Sequence, residues 1–578
     1  MSVKNYLLVP LNRPGEGSGH LRRCRELEKN LKGRGLAAAL LPDTAGEAGA
    51  EYAADTLLVL DRRSTSAEEL NQRVSMGTPV LLDDDGSARL TAPFLIDTIP
   101  GRRGTAANLA SPALMNLPPH ERRPDASGKI LVSFGGEDPA DLTAPVCRSL
   151  VSAGVEASRI SVTVPPKKKY GEGELPSGIV RLGAPEELKN LLSAYGTVVC
   201  SYGFTLWEAL SAGCAVFTVD PAPYHASLSR ECGFPGTGFV AKKHLEDAVR
   251  RQWPQKSEEK EHLEKTAEQL RERWLAEEEG GSGTHSLAEV LSRLEAPRPQ
   301  CLVCRSTLPP VIARFPGRTY YLCPCCGMTG LYRFHLKSNE YGSAYFQEEY
   351  RQQYGRTYLE DFNFIRDMGF ARLTRISRQA AGGGTLLDIG CAFGPFLSAA
   401  AEKGYECFGY DISPEAASYV RSELGFPAAA GAFPQENPAE SLGVEQFDVV
   451  SLWYVIEHFP DLDEVLRSLS KLTKKGGVLA FSTPNGAGIS ARRSLKSFLE
   501  RSPRDHYSIW TPASARRILA LYGFRVYSVR VTGHHPERFP GEPASGSFLY
   551  RFWGCLSRLL GLGDTFEVYA KKEKELFQ

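Results

Sequence analysis

The 578-residue chain has no net charge: 68 lysines and arginines are matched by 68 aspartates and glutamates. A neutral balance gives no global attraction to nucleic acid, and any such binding would need a local basic patch. The chain also lacks an apolar run of about 18 residues, so no membrane-spanning helix is expected. Its first residues, MSVKNYLLVPLNRPGEGSGH, hold too short an apolar stretch for a secretory signal and no small-residue cleavage site. Outside one cluster, paired cysteines are missing too. Eight of the thirteen are scattered singly, which suits a reducing compartment rather than a disulfide framework. A cytoplasmic protein without a nucleic-acid partner is expected.

What is present is ordinary in bulk, 42% apolar and 24% charged, and the length calls for about two to four domains. Residues 1–296 alternate short apolar runs (YLLVPL, TLLVLD, KILVSFGG, TVVCSYG, AVFTVDP) with amphipathic stretches such as HLRRCRELEKNLKGRG. That alternation predicts parallel sheets covered by helices. Residues 253–279 predict a charged surface helix with Leu263, Leu270 and Trp274 on one stripe. A PRPQ linker follows, then a cysteine cluster at 301–330, and from about 340 to 578 a second α/β pattern.

In that second pattern, GGGTLLDIGCAFGPFLSAAAEKGYECFGYDIS reads strand, glycine turn, helix, strand. Asp388 ends the first strand, and Gly390 and Gly394 allow close approach of backbone to a ligand. Asp411 ends the second strand, where a carboxylate can accept both hydroxyls of a ribose. FDVVSLWYVIEHFPDLDEVLRSLSKLTKKGGVLAFSTPN then supplies a strand, a Glu-His pair, a helix and a further strand. With four motifs in this order, residues 345–578 resemble the class I S-adenosylmethionine-dependent methyltransferases. The resemblance implies a Rossmann-like domain binding S-adenosylmethionine. Asp388, Gly390 and Gly394 would line the methionine side, Asp411 would hold the ribose, and Ala432 and Phe433 would lie beside the adenine. Methyl transfer needs an acceptor to be positioned and deprotonated. His458, His506 and the His534–His535 pair are the candidate bases, with His458 favoured because it follows a strand ending at the crevice.

In the first half, GEGSGHLRRC after the first strand, LVSFGGEDPADLT, and VVCSYGFTLWEALSAGCAVFTVDPAPYHASLS resemble in their order a GT-B fold. More narrowly they are similar to the UDP-sugar hydrolase of pseudaminic-acid biosynthesis and related spore-coat polysaccharide proteins. This implies a double Rossmann unit over 1–296 that takes a nucleotide-activated, UDP-linked sugar. His20 would be its catalytic histidine, Gly135 and Gly136 would approach the diphosphate, and Thr205 and Glu208 would hold phosphate and ribose. Two departures stand out. Gly203-Phe204 replaces a Gly-Gly pair, and Tyr224-His225 replaces an Asn-Gln pair, so that His225 alters the sugar or water contact. The expected whole is a bifunctional enzyme that methylates a sugar or glycan, fused to a hydrolase-like or glycosyltransferase-like domain, in nonulosonic-acid, flagellar-glycan or surface-polysaccharide synthesis. The alternative is a methyltransferase whose first half only binds a glycan or nucleotide.

Cys301-x-x-Cys304 and Cys323-x-x-Cys326 are separated by eighteen residues and predict a ribbon around a structural Zn²⁺, with Cys325 spare. A redox thiol pair or an iron–sulfur cluster is the other reading. The tyrosine-rich stretch 339–367 is either a packed cap or a lid over the cofactor crevice. SFLYRFWGCLSRLLGLG, interrupted by Arg551 and Arg558, predicts an amphipathic helix packed in the substrate cleft, a membrane-surface helix being the second reading.

Overall fold

Runs of Val, Ile and Leu bounded by glycine or acidic residues form strands buried on both faces. Thr56–Asp61 and Thr78–Leu82, for example, are buried at every position. The computed structural model describes residues 5–11, 19–43, 53–101, 105–135, 138–164, 170–171, 173–183, 188–275, 286–334, 351, 355–380 and 383–575. Gly136, and residues 339–350 and 352–354 of the tyrosine-rich stretch, lie outside these. The chain divides into two units. One holds residues 1–298 and 314–317, the other residues 299–313 and 318–578.

The first unit contains two six-stranded sheets, both wholly parallel. In space the first runs Ala37–Leu40, Asn5–Pro10, Thr56–Asp61, Thr78–Leu82, Phe94–Asp97, Leu109–Ala110. The second runs Gly236–Phe239, Ala215–Asp220, Thr197–Cys200, Ile130–Ser133, Ile160–Thr163, Val180–Leu182. The helix Ser257–Leu275 buries Leu263, Ala267 and Leu270, spaced four and three apart on one stripe. It packs on a cluster around fully buried Trp207, whose ring meets Phe234 at 5.3 Å and Trp274 at 6.1 Å.

The second unit holds a seven-stranded sheet ordered Ala428–Ala430, Glu406–Asp411, Thr385–Ile389, Phe447–Trp453, Thr473–Pro484, Thr565–Lys572, Phe524–Thr532. The first five strands are parallel, and Thr565–Lys572 runs antiparallel to both neighbours. Strand order reverses between Thr385–Ile389 and Phe447–Trp453, which opens a crevice at their C-terminal ends. The helix Leu462–Leu472 starts where the Asp461 side chain accepts from the Glu464 N–H, and it buries Leu462, Val465, Leu466, Leu469 and Leu472. Removing one such leucine would cost about 2–5 kcal/mol.

The cysteine segment folds as a small sheet, Val311–Phe315, Arg318–Leu322, Thr329–Arg333, and it takes a fourth strand, Ser508–Ile509, from far along the chain. The Leu302 carbonyl accepts from the Asp463 N–H (3.0 Å), the Leu331 N–H donates to the Tyr507 carbonyl (2.9 Å), and Arg305 pairs with Asp461 (2.5 Å). The predicted packing of the late helix is corrected. Phe548–Leu560 turns its small residues Gly554 and Ser557 inward and leaves Phe548, Leu549, Phe552, Leu559 and Leu560 exposed. On the side facing the fold Gly554 lies close to Pro536, where an added Cβ would be in van der Waals contact at 3.4 Å, and Trp553 stacks on Phe539.

Candidate functional site

At the crevice, Thr385–Ile389 ends in a turn that requires glycine. Gly390 has φ 72°, and a Cβ there would sit 2.4 Å from Val455 Cγ2. Gly394, with φ 77°, precedes the helix Pro395–Glu402. The turn is tied to the neighbouring strand: the Gly390 N–H donates to the Tyr410 carbonyl (2.7 Å) and the Ala392 N–H to Asp411 Oδ2 (2.8 Å). Asp411 Oδ1 accepts from the Ser413 N–H (2.9 Å). Asp388 is buried and accepts from the Ser451 hydroxyl (2.6 Å), and burial pushes its carboxyl up to about 7. Ala432 and Phe433 follow the edge strand, Phe433 buried edge-on to Phe459 at 5.8 Å.

Beyond Phe447–Trp453 the chain turns through Tyr454 (φ 60°) into a short helix, Ile456–His458. His458 Nδ1 lies 3.1 Å from Asp505 Oδ2, and its ring stands edge-on to His506 at 4.7 Å. One ligand-capable atom each of Glu457, His458 and His506 lies within 4.8 Å of the others, so the three titratable groups form one cluster. The two histidines are driven apart in acidity. Burial opposes charge on both; at His458 the carboxylates Asp505 and Glu457 overcome it and raise the pKa. At His506 burial wins, with the charge of His458 adding to it, and the pKa falls to about 4. Glu457 is buried with Oε2 lacking a partner, and burial pushes it to about 7. The position of His506 follows from the cysteine segment, because the Tyr507 N–H donates to the Glu457 carbonyl (2.8 Å) while Ser508–Ile509 pairs with Thr329–Gly330. His534 Nδ1 bonds Ser557 (2.7 Å) and His535 Nδ1 bonds Glu537 (2.8 Å), so both are engaged elsewhere. Asp505 was not a sequence candidate, though RDHY places it directly before His506. Nor was Ile412, an exposed apolar side chain immediately after Asp411.

In the cysteine segment, Cys301, Cys304, Cys323 and Cys326 bring four Sγ atoms within 4.8 Å of one another. Cys301–Cys326 and Cys304–Cys323 are each at 3.5 Å, and Cys325 is exposed. Zn–S bonds of about 2.3 Å in a tetrahedron need sulfurs about 3.8 Å apart, so this donor set fits Zn²⁺. Burial would raise the Cys323 thiol, but the Ser306 hydroxyl, the Cys326 amide and the Cys304 thiol hold it down, whereas the Cys326 thiol and burial raise Cys301 and burial raises Cys304.

In the first unit, His20 and Arg23 lie in the helix Gly19–Gly33 and meet Asp61 at the end of its strand. His20 Nδ1 is 2.6 Å from Asp61 Oδ1, and the Arg23 guanidinium bonds both Asp61 and Asp83. Burial would raise Asp61, yet Arg23 and His20 hold it well below the usual carboxylate range. Asp83 also accepts from the Thr98 N–H (2.7 Å) and the Ile99 N–H (2.8 Å). Phe204 covers this group. Its ring lies edge-on to His20 at 6.4 Å, has Arg23 above it at 4.7 Å, and would sit 3.1 Å from a Cβ at Gly19. Glu208, on the helix Phe204–Ser211, takes an ion pair from Arg22 (2.7 Å) but is buried with Oε2 unpartnered, and burial raises its pKa. Both line a cleft with Gly19, Arg22 and Arg23. Thr205 is half-buried one helical turn before Glu208. Gly135 (φ 80°) is exposed after Ile130–Ser133. His225 has a buried Nδ1 without a partner and a pKa lowered by burial to about 4. Arg23, Asp61 and Asp83 were not sequence candidates. The acid closing TLLVLD, set against the LRRC arginines, was the available signal.

Among known proteins, residues 360–529 match the family model described as a methyltransferase domain. The chain is similar to ubiquinone biosynthesis O-methyltransferases. It is 30% identical to that of Aliivibrio fischeri strain ES114 over 149 residues, covering 24% of this chain and 58% of the relative. It is 35% identical to that of Proteus mirabilis over 130 residues, covering 22% and 53%. These matches span little more than half the length of those relatives. A solved S-adenosylmethionine-dependent methyltransferase from Archaeoglobus fulgidus shares 23% identity over 37% of this chain and 99% of its own, with a TM-score of 0.29. The C-terminal unit of this chain contains a methyltransferase domain, an α/β Rossmann-like fold of class I.

Proposed function

We propose that the C-terminal unit transfers a methyl group from S-adenosylmethionine to a hydroxyl of a sugar or glycan, and that the N-terminal unit binds a UDP-linked sugar of the same pathway. The observation that carries the first half is the His458–His506–Asp505 group, with His458 three residues past Val455, which packs on the Gly390 turn. The cofactor supplies an electrophilic methyl on a sulfonium. The chain's residues orient the acceptor and take its proton. His458 is suited to the second task because Asp505 and Glu457 stabilise the imidazolium that forms, while neutral His506 fixes the approach. The Asp411 carboxylate at its strand end suits a ribose, and exposed Ile412 offers an apolar face to a base. The relatives' printed role as O-methyltransferases supports transfer to oxygen. Four thiolates on one Zn²⁺ leave no open position, so the metal's role is structural.

In the N-terminal unit, twin parallel sheets and a cleft lined by Arg22, Arg23 and Glu208, with His20 behind Phe204 at its wall, support a nucleotide-sugar site. Asp61 fixes the His20 tautomer, as a base that orients water requires. Phe204 against His20 favours the second reading, a site that binds without turnover. Incubation with S-adenosylmethionine and a panel of UDP-sugars, read by mass spectrometry, tests both. Methylated sugar with S-adenosylhomocysteine release is expected; release of neither from any sugar or glycan refutes the acceptor class. UDP release by wild type selects hydrolysis or glycosyl transfer, and UDP binding with no release selects the binding module. Nonulosonic-acid or surface-polysaccharide synthesis, including flagellar glycan, is the proposed pathway, checked by the glycan profile of a deletion strain.

A further inference from the structure

The helix Phe548–Leu560 is amphipathic the wrong way round for a packed element. Phe548 is 86% exposed, Leu559 81% and Phe552 49%. Its inward side offers Gly554 and Ser557, with Trp553 stacked on Phe539 at 4.9 Å. Water against such a face is unfavourable, and nothing in the helix itself relieves it. Between residues 543 and 563 the only charged side chains are Arg551 and Arg558. They lie seven residues apart and so share one flank of the helix. Neither is in an ion pair among the described residues, whereas the nearest acids outside this stretch are occupied, Glu542 by Arg493 and Asp564 by Arg538.

The helix is inserted between Phe524–Thr532 and Thr565–Lys572 at one end of the sheet. Thr532 pairs with Thr565, and Thr565 with Pro484, the C-terminal end of a parallel strand. This is the edge at which Ile389, Asp411 and Trp453 end. The apolar helix and the cofactor crevice therefore share an edge.

We infer that the Phe548–Leu560 helix docks on the surface of an anionic lipid bilayer, with Phe548, Phe552 and Leu559 in the headgroup–acyl boundary and Arg551 and Arg558 on the headgroups. Large apolar side chains beside unpaired arginines, with no acid in the stretch, match the chemistry of an interfacial helix. A second copy docking by the same face would set these arginines against their own counterparts with no carboxylate in 543–563 to answer them. An acceptor carried on lipid would then reach the crevice from the membrane side.

The test is co-sedimentation of the full chain with phosphatidylcholine vesicles and with equimolar phosphatidylcholine–phosphatidylglycerol vesicles, without S-adenosylmethionine, so that the outcome is independent of methyl transfer. Wild type is expected to bind the anionic vesicles. Phe548→Ser with Phe552→Ser, both at exposed positions, should weaken binding ~10-fold or more with an unchanged melting curve. Arg551→Gln with Arg558→Gln should remove the preference for anionic vesicles and the sensitivity to salt. Absence of vesicle binding by wild type, or equal binding by the phenylalanine variant, overturns the inference. So does a wild-type dimer that the phenylalanine variant dissolves while vesicles stay unbound, which would assign the face to a second copy.

Discussion

The two units both place carboxylates at or just past the C-terminal ends of parallel strands, yet Asp61 in one and Asp388 and Glu457 in the other are treated in opposite ways. In the N-terminal unit Asp61 is saturated: Arg23 and His20 meet it, and it stays ionised although buried. In the C-terminal unit Asp388 and Glu457 have no ion-pair partner among the described residues and are pushed up to about 7. A saturated carboxylate is a fixed strut. An unsaturated one has proton exchange and ligand contact still available to it. The first arrangement holds a histidine in place; the second leaves a crevice poised for something to arrive.

Metal removal should separate the units most sharply. Cys301→Ser with Cys323→Ser, or chelation, should lower the melting temperature of the C-terminal unit by ~10 °C or more, and its zinc content to background, while the N-terminal unit melts unchanged. Two calorimetric transitions moving together would break the comparison. Next in size is Arg23→Met, which strands the buried Asp61 and should cost the N-terminal unit about 3–5 kcal/mol by denaturant titration. An effect below about 1 kcal/mol would show that Asp61 is not held by that pair.

His458→Gln should lower kcat roughly 100-fold with little change in stability or in S-adenosylmethionine affinity. An equal loss in Asp505→Ala and His458→Gln, without additivity in the double variant, would place both in one unit of function. The smallest effect is in pH. Asp388 has a folded pKa above its unfolded value, so its contribution is full below about pH 4 and is lost as pH rises toward and through about 7. Asp388→Asn should therefore match wild-type cofactor-free stability at pH 4 and exceed it at pH 8; parallel curves would remove the shift.

The parts legible in the sequence were those written in local pattern. The glycine turn, the acids closing TLLDI and FGYD, and the cysteine spacing all lie within about thirty residues of their partners. The parts that escaped depend on distant pairing. The Arg23–Asp61–Asp83 network joins residues up to 60 positions apart, and Ser508–Ile509 joins a sheet begun nearly 200 residues earlier. The late helix was misjudged for another reason. Periodicity reveals that a helix has an apolar side but not which way that side faces, and here two small residues, Gly554 and Ser557, decide it.

The borrowed strand Ser508–Ile509 bears on inheritance. A gene fragment beginning near residue 340 would encode the seven-stranded sheet but leave that strand, and the histidine two residues before it, without the edge that sets their register. Recombination that exchanges residues 1–298 keeps that register only where the whole cysteine segment, residues 314–317 included, travels with the methyltransferase half as one transmissible block.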